Sequence, residues 1–274
     1  MSPELGEIDE AALEEALRGD SAKALHMLAD LTTATDESLR EQARKLAGRI
    51  MLDLARTGVA PRSGSVRLQP VPADRGGDLD VDLSMDAIAS ARAGGRVPHL
   101  DELFSRDWRR PDVALCLLVD ASGSMSGDRL AAAALTAAAC AWRAPGEFAV
   151  LSFDRRVRVH RAITATSAPV ETVTGLLELR GHGVTAVAAA LRAAAEQLAS
   201  ARAARRITIL LSDCRATDEE DPVPAARAQQ ELIVLAPAED CEEATALAAA
   251  VDAKIGRLRS AADAPAALAA ALDR

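Results

Sequence analysis

The chain has 274 residues, of which 49% are hydrophobic, so it is long enough to bury a substantial core. Aromatic residues are scarce, with three Phe, two Trp and no Tyr, so Ala, Leu, Val and Ile must fill that core. The formal net charge is −9 at pH 7. Because binding to phosphate backbones depends on clustered cations, this charge argues against nucleic acid as the main partner.

The cysteines and the hydropathy pattern indicate where the protein works. No Cys-x-x-Cys spacing occurs, which argues against a zinc site or a thioredoxin-type redox site. The N-terminus shows no signal-peptide pattern, and no apolar run reaches the roughly 18 residues of a membrane span. We therefore expect a cytoplasmic protein that does not cross a membrane. The four cysteines are Cys116, Cys140, Cys214 and Cys241.

The first 110 residues predict a helical region followed by a linker. Apolar residues recur at helical spacing up to residue 54, which predicts a small N-terminal helical region over residues 1–58. Prolines and glycines then break the pattern, and we assign residues 59–110 as a linker and packing segment. Within that segment, the alternation of Asp with apolar residues over 78–83 predicts a half-exposed strand whose apolar side chains face inward.

From residue 111 to residue 274, strand-type apolar runs alternate with helical patterns. This alternation predicts an α/β fold with a doubly wound, mainly parallel sheet and helices on both faces. The run over 157–163 alternates polar and apolar residues, so we expect an antiparallel edge strand on which His160 faces solvent. The predicted strands span residues 113–120, 147–153, 157–163, 206–212, 231–236 and 253–258. The predicted helices span residues 129–143, 168–179, 186–201, 222–229, 241–251 and 261–273.

A loop of oxygen donors follows the first of these strands. The apolar run that begins at Val113 ends in Asp120, and Ser122 and Ser124 follow at alternate positions. One carboxylate and two hydroxyls at this spacing suit a hard cation such as Mg²⁺ or Mn²⁺. The alternative is that these residues only cap the next helix, since Asp and Ser are favoured at turns and N-caps.

Two later stretches offer further oxygen donors. Thr185 stands at the start of the predicted helix over 186–201, and Asp213 follows the buried-type strand over 206–212. Strands of an open parallel sheet share one carboxyl edge, and sites form in the crevice there. We therefore expect Asp120, Ser122, Ser124, Thr185 and Asp213 to converge at this edge, which helix capping alone does not explain.

On these residues, the region from 111 to 274 resembles a von Willebrand factor type A (VWA) domain, a Rossmann-like fold. The five residues match that family's metal-ion-dependent adhesion site, Asp-x-Ser-x-Ser with a distant Thr and Asp. The resemblance implies that the three hydroxyls bind Mg²⁺ (or Mn²⁺) directly and that the two carboxylates are water-mediated or switching ligands. A protein partner's Asp or Glu would complete the metal shell.

The chain departs from the family at two positions of this site. Cys214 stands where the family commonly has Gly, and a cysteine restricts the backbone there if the turn needs a positive φ. Ala186 stands where the family often has Asp or Asn. These departures bear on metal affinity more than on the fold.

Among intracellular proteins with VWA domains, the chain resembles those that work with AAA+ ATPases, including MoxR-type ATPases. It also resembles the metal chelatase subunits. The resemblance therefore implies a metal-dependent protein-binding adaptor that couples a client protein to an AAA+ ATPase. One alternative is a chelatase accessory subunit, although the acidic, proline-rich linker of those subunits is missing. The other is a Mg²⁺-dependent phosphoester hydrolase, but the sequence holds no complete catalytic constellation or phosphate-binding loop, so we expect no enzyme activity.

Overall fold

The computed structural model of the chain describes residues 37–57, 67–76, 78–109, 113–123, 127–179, 181 and 183–273, with Ala24 and Met27. The helices are Glu37–Thr57 (α1), Val81–Ala93 (α2), Gly127–Arg143 (α3), Pro169–Leu176 (α4), Val187–Ala199 (α5), Val223–Arg227 (α6), Glu242–Val251 (α7) and Ala264–Leu272 (α8). The strands are Arg67–Pro72 (β1), Asp78–Leu79 (β2), Phe104–Arg109 (β3), Val113–Asp120 (β4), Phe148–Phe153 (β5), Val157–Arg161 (β6), Arg205–Leu211 (β7), Glu231–Pro237 (β8) and Lys254–Leu258 (β9).

The chain divides into two compact units. Ser63–Pro111 forms the smaller unit, and the larger unit combines Met1–Arg62 with Asp112–Arg274. Of the helical region predicted over residues 1–58, Ala24, Met27 and residues 37–57 belong to the described residues. No helix in the described part of the chain combines the length and the apolar character that crossing a bilayer requires.

The larger unit is built on a six-stranded sheet with the order β6-β5-β4-β7-β8-β9. The pairs β4–β5, β4–β7, β7–β8 and β8–β9 are parallel, and only β6 runs antiparallel at one edge. This arrangement confirms the doubly wound, mainly parallel sheet predicted from the sequence. The alternation along 157–163 is therefore correctly interpreted as an edge strand.

The central strand β4 distributes its side chains between two helical layers. Leu115, Leu117 and Val119 pack in one apolar cluster with residues of α1, α3, α4 and α8. Ala114, Cys116 and Leu118, which alternate with them, pack in a second cluster with residues of α5, α6 and α7. Because both faces of the strand are covered, its sequence is a continuous apolar run.

Helix α1 is part of the larger unit and packs against α3 and α4. Its residues Leu46 and Met51 are buried in the same cluster as Leu135 of α3 and Leu176 of α4. A Cβ at Gly48 would lie 2.7 Å from the Oγ1 atom of Thr174 and 3.0 Å from a methyl group of Val170. The two helices can therefore approach this closely only because residue 48 has no side chain.

We expect Gly48→Val to lower the free energy of unfolding by about 1–3 kcal/mol, since the added methyl groups must push α1 away from α4. Urea denaturation followed by circular dichroism measures this change. Gly146→Val is the matched control, because a Cβ at Gly146 would meet no atom within 4 Å. Equal stability of the two variants would contradict the packing of α1 on α4.

The smaller unit corrects one sequence prediction. Its sheet has the order β1-β3-β2 and is antiparallel, but β2 ends at Leu79. The predicted strand over 78–83 is wrong beyond that residue, because the Asp80 carboxylate accepts a hydrogen bond from the Leu83 N–H and caps α2. Leu79, Val81 and Leu83, predicted to face inward, are about half exposed.

His160 on β6 is only partly exposed, so the prediction that it faces solvent is wrong in part. Its Nε2 atom lies 2.7 Å from the Oγ atom of Ser152 on β5. Burial, and to a lesser degree the Arg158 guanidinium, lower the pKa of the imidazole. Ser152 is completely buried, and its contact with His160 joins β5 to β6 at the edge of the sheet.

Candidate functional site

Parallel pairing brings two of the predicted site residues to the same edge of the sheet. Val119 of β4 pairs with Leu211 of β7, so the residues that follow these two leave the sheet side by side. The Ser212 hydroxyl donates a hydrogen bond of 2.5 Å to Oδ2 of Asp120. The stretch that begins with Asp120 and the stretch that contains Asp213 are therefore joined directly.

Asp120 also fixes the loop that follows it. Its Oδ1 atom accepts hydrogen bonds from the backbone N–H of Ser122 (2.9 Å) and from the Ser122 hydroxyl (2.6 Å). Both residues are partly exposed, as a site that meets a partner requires. Ser124, the third residue of the Asp-x-Ser-x-Ser run, lies outside the described residues.

The segment that contains Thr185 lies against this loop. A Cβ at Gly181 would lie only 1.7 Å from the carbonyl oxygen of Gly123 and 2.8 Å from that of Ala121. Glycine at position 181 is thus required for the segment that contains Thr185 to reach the loop after β4. The two segments contact each other through their backbones.

Thr185 is held in place by the loop after β7. Its backbone N–H donates to the Oγ1 atom of Thr217 (2.8 Å), and the Thr217 N–H donates to the Thr185 carbonyl (3.2 Å). The next residue, Ala186, donates its N–H to the carbonyl of Asp154 (3.1 Å). Thr185 itself is 4% exposed, so its position is determined by contacts on both sides.

Cys214 occupies a strained backbone position beside Asp213. Its φ angle is +62°, in the left-handed region that favours glycine. The Cys214 N–H donates to the Ser212 hydroxyl at 2.9 Å, which helps to hold this conformation. Burial, and then the Asp213 and Asp120 carboxylates, raise the pKa of the Cys214 thiol to about 12.

Two ion pairs fix the remainder of the loop after β7. Arg192 of α5 binds Glu220 through two hydrogen bonds of 2.6 and 2.9 Å. Arg215 lies 2.6 Å from the Asp240 carboxylate in the loop after β8. This loop is thus attached to α5 on one side and to the β8–α7 connection on the other.

A cavity of about 600 Å³ opens beside Asp120 and Asp213. It lies at the carboxyl edge of the sheet, the place where sites form in doubly wound folds. Arg129 of α3 lines it next to the two aspartates, and Asp240 and Ser260 line it on the side of β8 and β9. The cavity is large enough for a side chain of a partner protein.

The donors at this edge suit a hard cation. They are the carboxylate and hydroxyl oxygens of Asp120, Ser122, Thr185 and Asp213, and such oxygens are preferred by Mg²⁺ and Mn²⁺. Within the described ranges no three His, Cys, Asp or Glu residues cluster as a metal site, so a metal here would depend on hydroxyl ligands. The structure brings the three elements together, and metal ligation by their residues stays a prediction.

Ser212 and Thr217 belong to the site but were not predicted from the sequence. Each acts through a hydrogen bond to another element, Ser212 to Asp120 and Thr217 to Thr185. The sequence offered one signal for Ser212, its place directly before Asp213 at the end of a buried strand. No local pattern marks Thr217, since its partner lies 32 residues away.

The sheet, its two helical layers and the loops at its carboxyl edge define a protein with the VWA fold. A family model described as VWA domain containing CoxE-like protein matches residues 24–273. The chain therefore belongs to this family. No curated protein matches its sequence at a significant level.

Solved structures are similar in fold at low sequence identity. A von Willebrand factor type A protein from Catenulispora acidiphila is 19% identical over 62% of this chain and 43% of that chain, with a TM-score of 0.47. The conserved hypothetical protein BatB from Bacteroides thetaiotaomicron is 17% identical over 59% of this chain and 97% of that chain, with a TM-score of 0.46. Proximal thread matrix protein 1 from the mussel byssus is 13% identical over 60% of this chain and 47% of that chain, with a TM-score of 0.50. This chain thus spans less than half of the first and the last of these proteins.

We expect Thr217→Val to weaken Mg²⁺ binding by about tenfold, the lower end of the range for residues that orient metal ligands. The valine keeps the shape of the side chain but cannot accept the hydrogen bond that positions Thr185. Isothermal titration calorimetry with Mg²⁺ measures the affinity. Thr245→Val is the matched control, since among the described residues the Thr245 hydroxyl bonds to the carbonyl of Cys241, just before α7. Equal affinities of the two variants would exclude a role for Thr217 in the site.

Proposed function

We propose that the protein is a metal-dependent protein-binding adaptor. The observation that carries this proposal is the meeting of three oxygen-donor elements at the carboxyl edge of the sheet. Ser212 joins Asp120 to the loop after β7, and Thr217 joins that loop to Thr185. Gly181 lies against the loop of residues 120–124, here called the metal loop. VWA domains generally mediate interactions between proteins, which supports a binding role.

In this proposal the metal is Mg²⁺ or Mn²⁺ and connects the two proteins. Ser122, Ser124 and Thr185 would hold it directly, while Asp120 and Asp213 would act through water. An Asp or Glu of the partner would complete the shell. Two acidic groups repel each other across an interface unless a cation lies between them, so recognition of the partner would depend on the metal.

The partner that we propose is a MoxR-type AAA+ ATPase, to which the adaptor would connect a client protein. The support is the resemblance of this site to the intracellular members of the VWA class. We place this activity in the cytoplasm, because the four cysteines are free thiols and reduced thiols are typical of that compartment. Three of the four are buried in the folded chain.

We also propose that binding, and no chemical turnover, is the activity of this edge. Both carboxylate oxygens of Asp120 accept hydrogen bonds, one from Ser122 and one from Ser212, so this carboxylate is not a ready nucleophile. We expect purified protein with Mg²⁺ or Mn²⁺ to show no hydrolysis of p-nitrophenyl phosphate above a boiled control. Turnover that is lost in Asp120→Asn would instead establish a phosphoester hydrolase.

The adaptor proposal is tested by capture of partners from cell lysate with the wild type, Asp120→Ala and Asp120→Asn. We expect a MoxR-type AAA+ ATPase, identified by mass spectrometry, to be captured in Mg²⁺ and lost in EDTA and with both variants. Loss follows because removal of the carboxylate charge weakens the metal site.

Two controls accompany this capture experiment. Asp86→Ala is the matched variant, since Asp86 is an exposed aspartate of the smaller unit. Thermal unfolding and Mg²⁺ titration of each variant separate loss of the metal from loss of the fold. Capture that persists in EDTA and with folded Asp120→Asn would refute a metal-bridged interface.

A further inference from the structure

The Arg129 guanidinium lies close to the loop that follows β4. Arg129 lies in the first turn of α3 and lines the cavity beside Asp120. A Cβ built on Gly123 would lie 2.8 Å from its Nη1 atom, so the guanidinium contacts the backbone of the Asp-x-Ser-x-Ser loop. Arg129 therefore lies beside both the loop and the cavity.

Arg129 is available to a ligand. It is exposed, and no hydrogen bond or ion pair joins it to any residue that the structure describes. The other arginine of the cavity, Arg259, lies 3.8 Å from the Asp263 carboxylate. Guanidinium groups bind carboxylates through two parallel hydrogen bonds, a geometry that a free Arg129 can offer.

The charge of the cavity determines what else a carboxylate ligand requires. The cavity lining holds five carboxylates and two arginines, and one of the carboxylates, Asp240, is also paired with Arg215. The carboxylates still outnumber these three arginines, so an acidic side chain that enters alone meets a net negative field. A divalent cation at the loop would offset the nearest two carboxylates, those of Asp120 and Asp213. The positive end of the α3 dipole also favours an anion close to its first turn.

We propose that Arg129 is a second anchor for the partner, and that it binds the carboxylate of the Asp or Glu that the partner presents to the metal loop. This inference rests on the proposed function and adds to it a specificity-determining residue of the chain itself. The metal is required for binding, and Arg129 strengthens it. The metal neutralises the loop, and Arg129 supplies directed hydrogen bonds from the cavity side.

The test uses a defined probe, the capped tripeptide acetyl-Gly-Glu-Gly-amide, with acetyl-Gly-Gln-Gly-amide as its uncharged counterpart. Each peptide is titrated into the whole chain of 274 residues in Mg²⁺ and in EDTA. ¹H–¹⁵N NMR spectra follow the Arg129 Nε–H signal and the amides of residues 120–123. Mg²⁺ affinity is measured separately by calorimetry. The proteins are the wild type, Arg129→Gln and Arg257→Gln.

We expect the Glu peptide to bind the wild type only in Mg²⁺ and to bind Arg129→Gln about tenfold more weakly or worse, as loss of a hydrogen bond to a charged group predicts. Mg²⁺ affinity should not fall in Arg129→Gln. Arg257→Gln is the matched control, because Arg257 is an exposed arginine of β9 that does not line the cavity. It should bind the peptide as the wild type does.

The outcomes separate this inference from the proposed function. Equal binding of the Glu peptide to Arg129→Gln and to the wild type overturns the role of Arg129 and leaves the metal adaptor standing. Binding without Mg²⁺ that still requires Arg129 supports the anchor and refutes the metal bridge. Equal binding of the Glu and Gln peptides, or binding of neither to the Mg²⁺-loaded wild type, contradicts both.

Discussion

Parallel pairing between β4 and β7 is the constraint on which the site depends. It ends two buried strands at the same level, so Asp120 and Ser212 leave the sheet as neighbours and bond to each other. The other elements are positioned relative to this pair. The loop after β7 holds Thr185 through Thr217, and Gly181 lets the second segment lie on the first. The order of the strands therefore determines which residues meet at the site. The sheet is rigid, and it fixes the positions of these residues.

Most of the fold could be predicted because each strand and helix has its own recognisable pattern of apolar residues. Strands such as β4 and β5 are unbroken apolar runs, since both of their faces are buried, and the helices between them show one apolar face. The smaller unit was less predictable. Alternation of Asp with apolar residues after residue 77 fits a half-exposed strand, yet the same aspartates favour a helix start, and Asp80 decides between the two by capping α2.

The sequence predicted which residue types form the site, but it did not predict the hydrogen bonds that hold them in place. Hydroxyl and carboxylate residues at strand ends can be read from the sequence, because each follows an apolar run. The bonds of Ser212 and Thr217 join positions 92 and 32 residues apart and leave no local pattern. The resemblance to the VWA family drew attention to Cys214, because the family commonly has Gly there, and the structure shows that this turn does adopt the positive φ usual for glycine. Here the Ser212 hydroxyl, which accepts the Cys214 N–H, compensates for a residue that is unfavourable by itself.

The division of the chain also bears on its synthesis. Helix α1 belongs to the larger unit, but the helices that cover it, α3 and α4, are encoded after the whole of the smaller unit. During translation α1 therefore leaves the ribosome long before its packing partners exist, at a pace of about 5–20 residues per second. Its apolar face, with Leu46 and Met51, is exposed over that interval. The nascent chain would then present a binding site for chaperones at α1, and the larger unit can complete its core only after the smaller unit, α3 and α4 have been made.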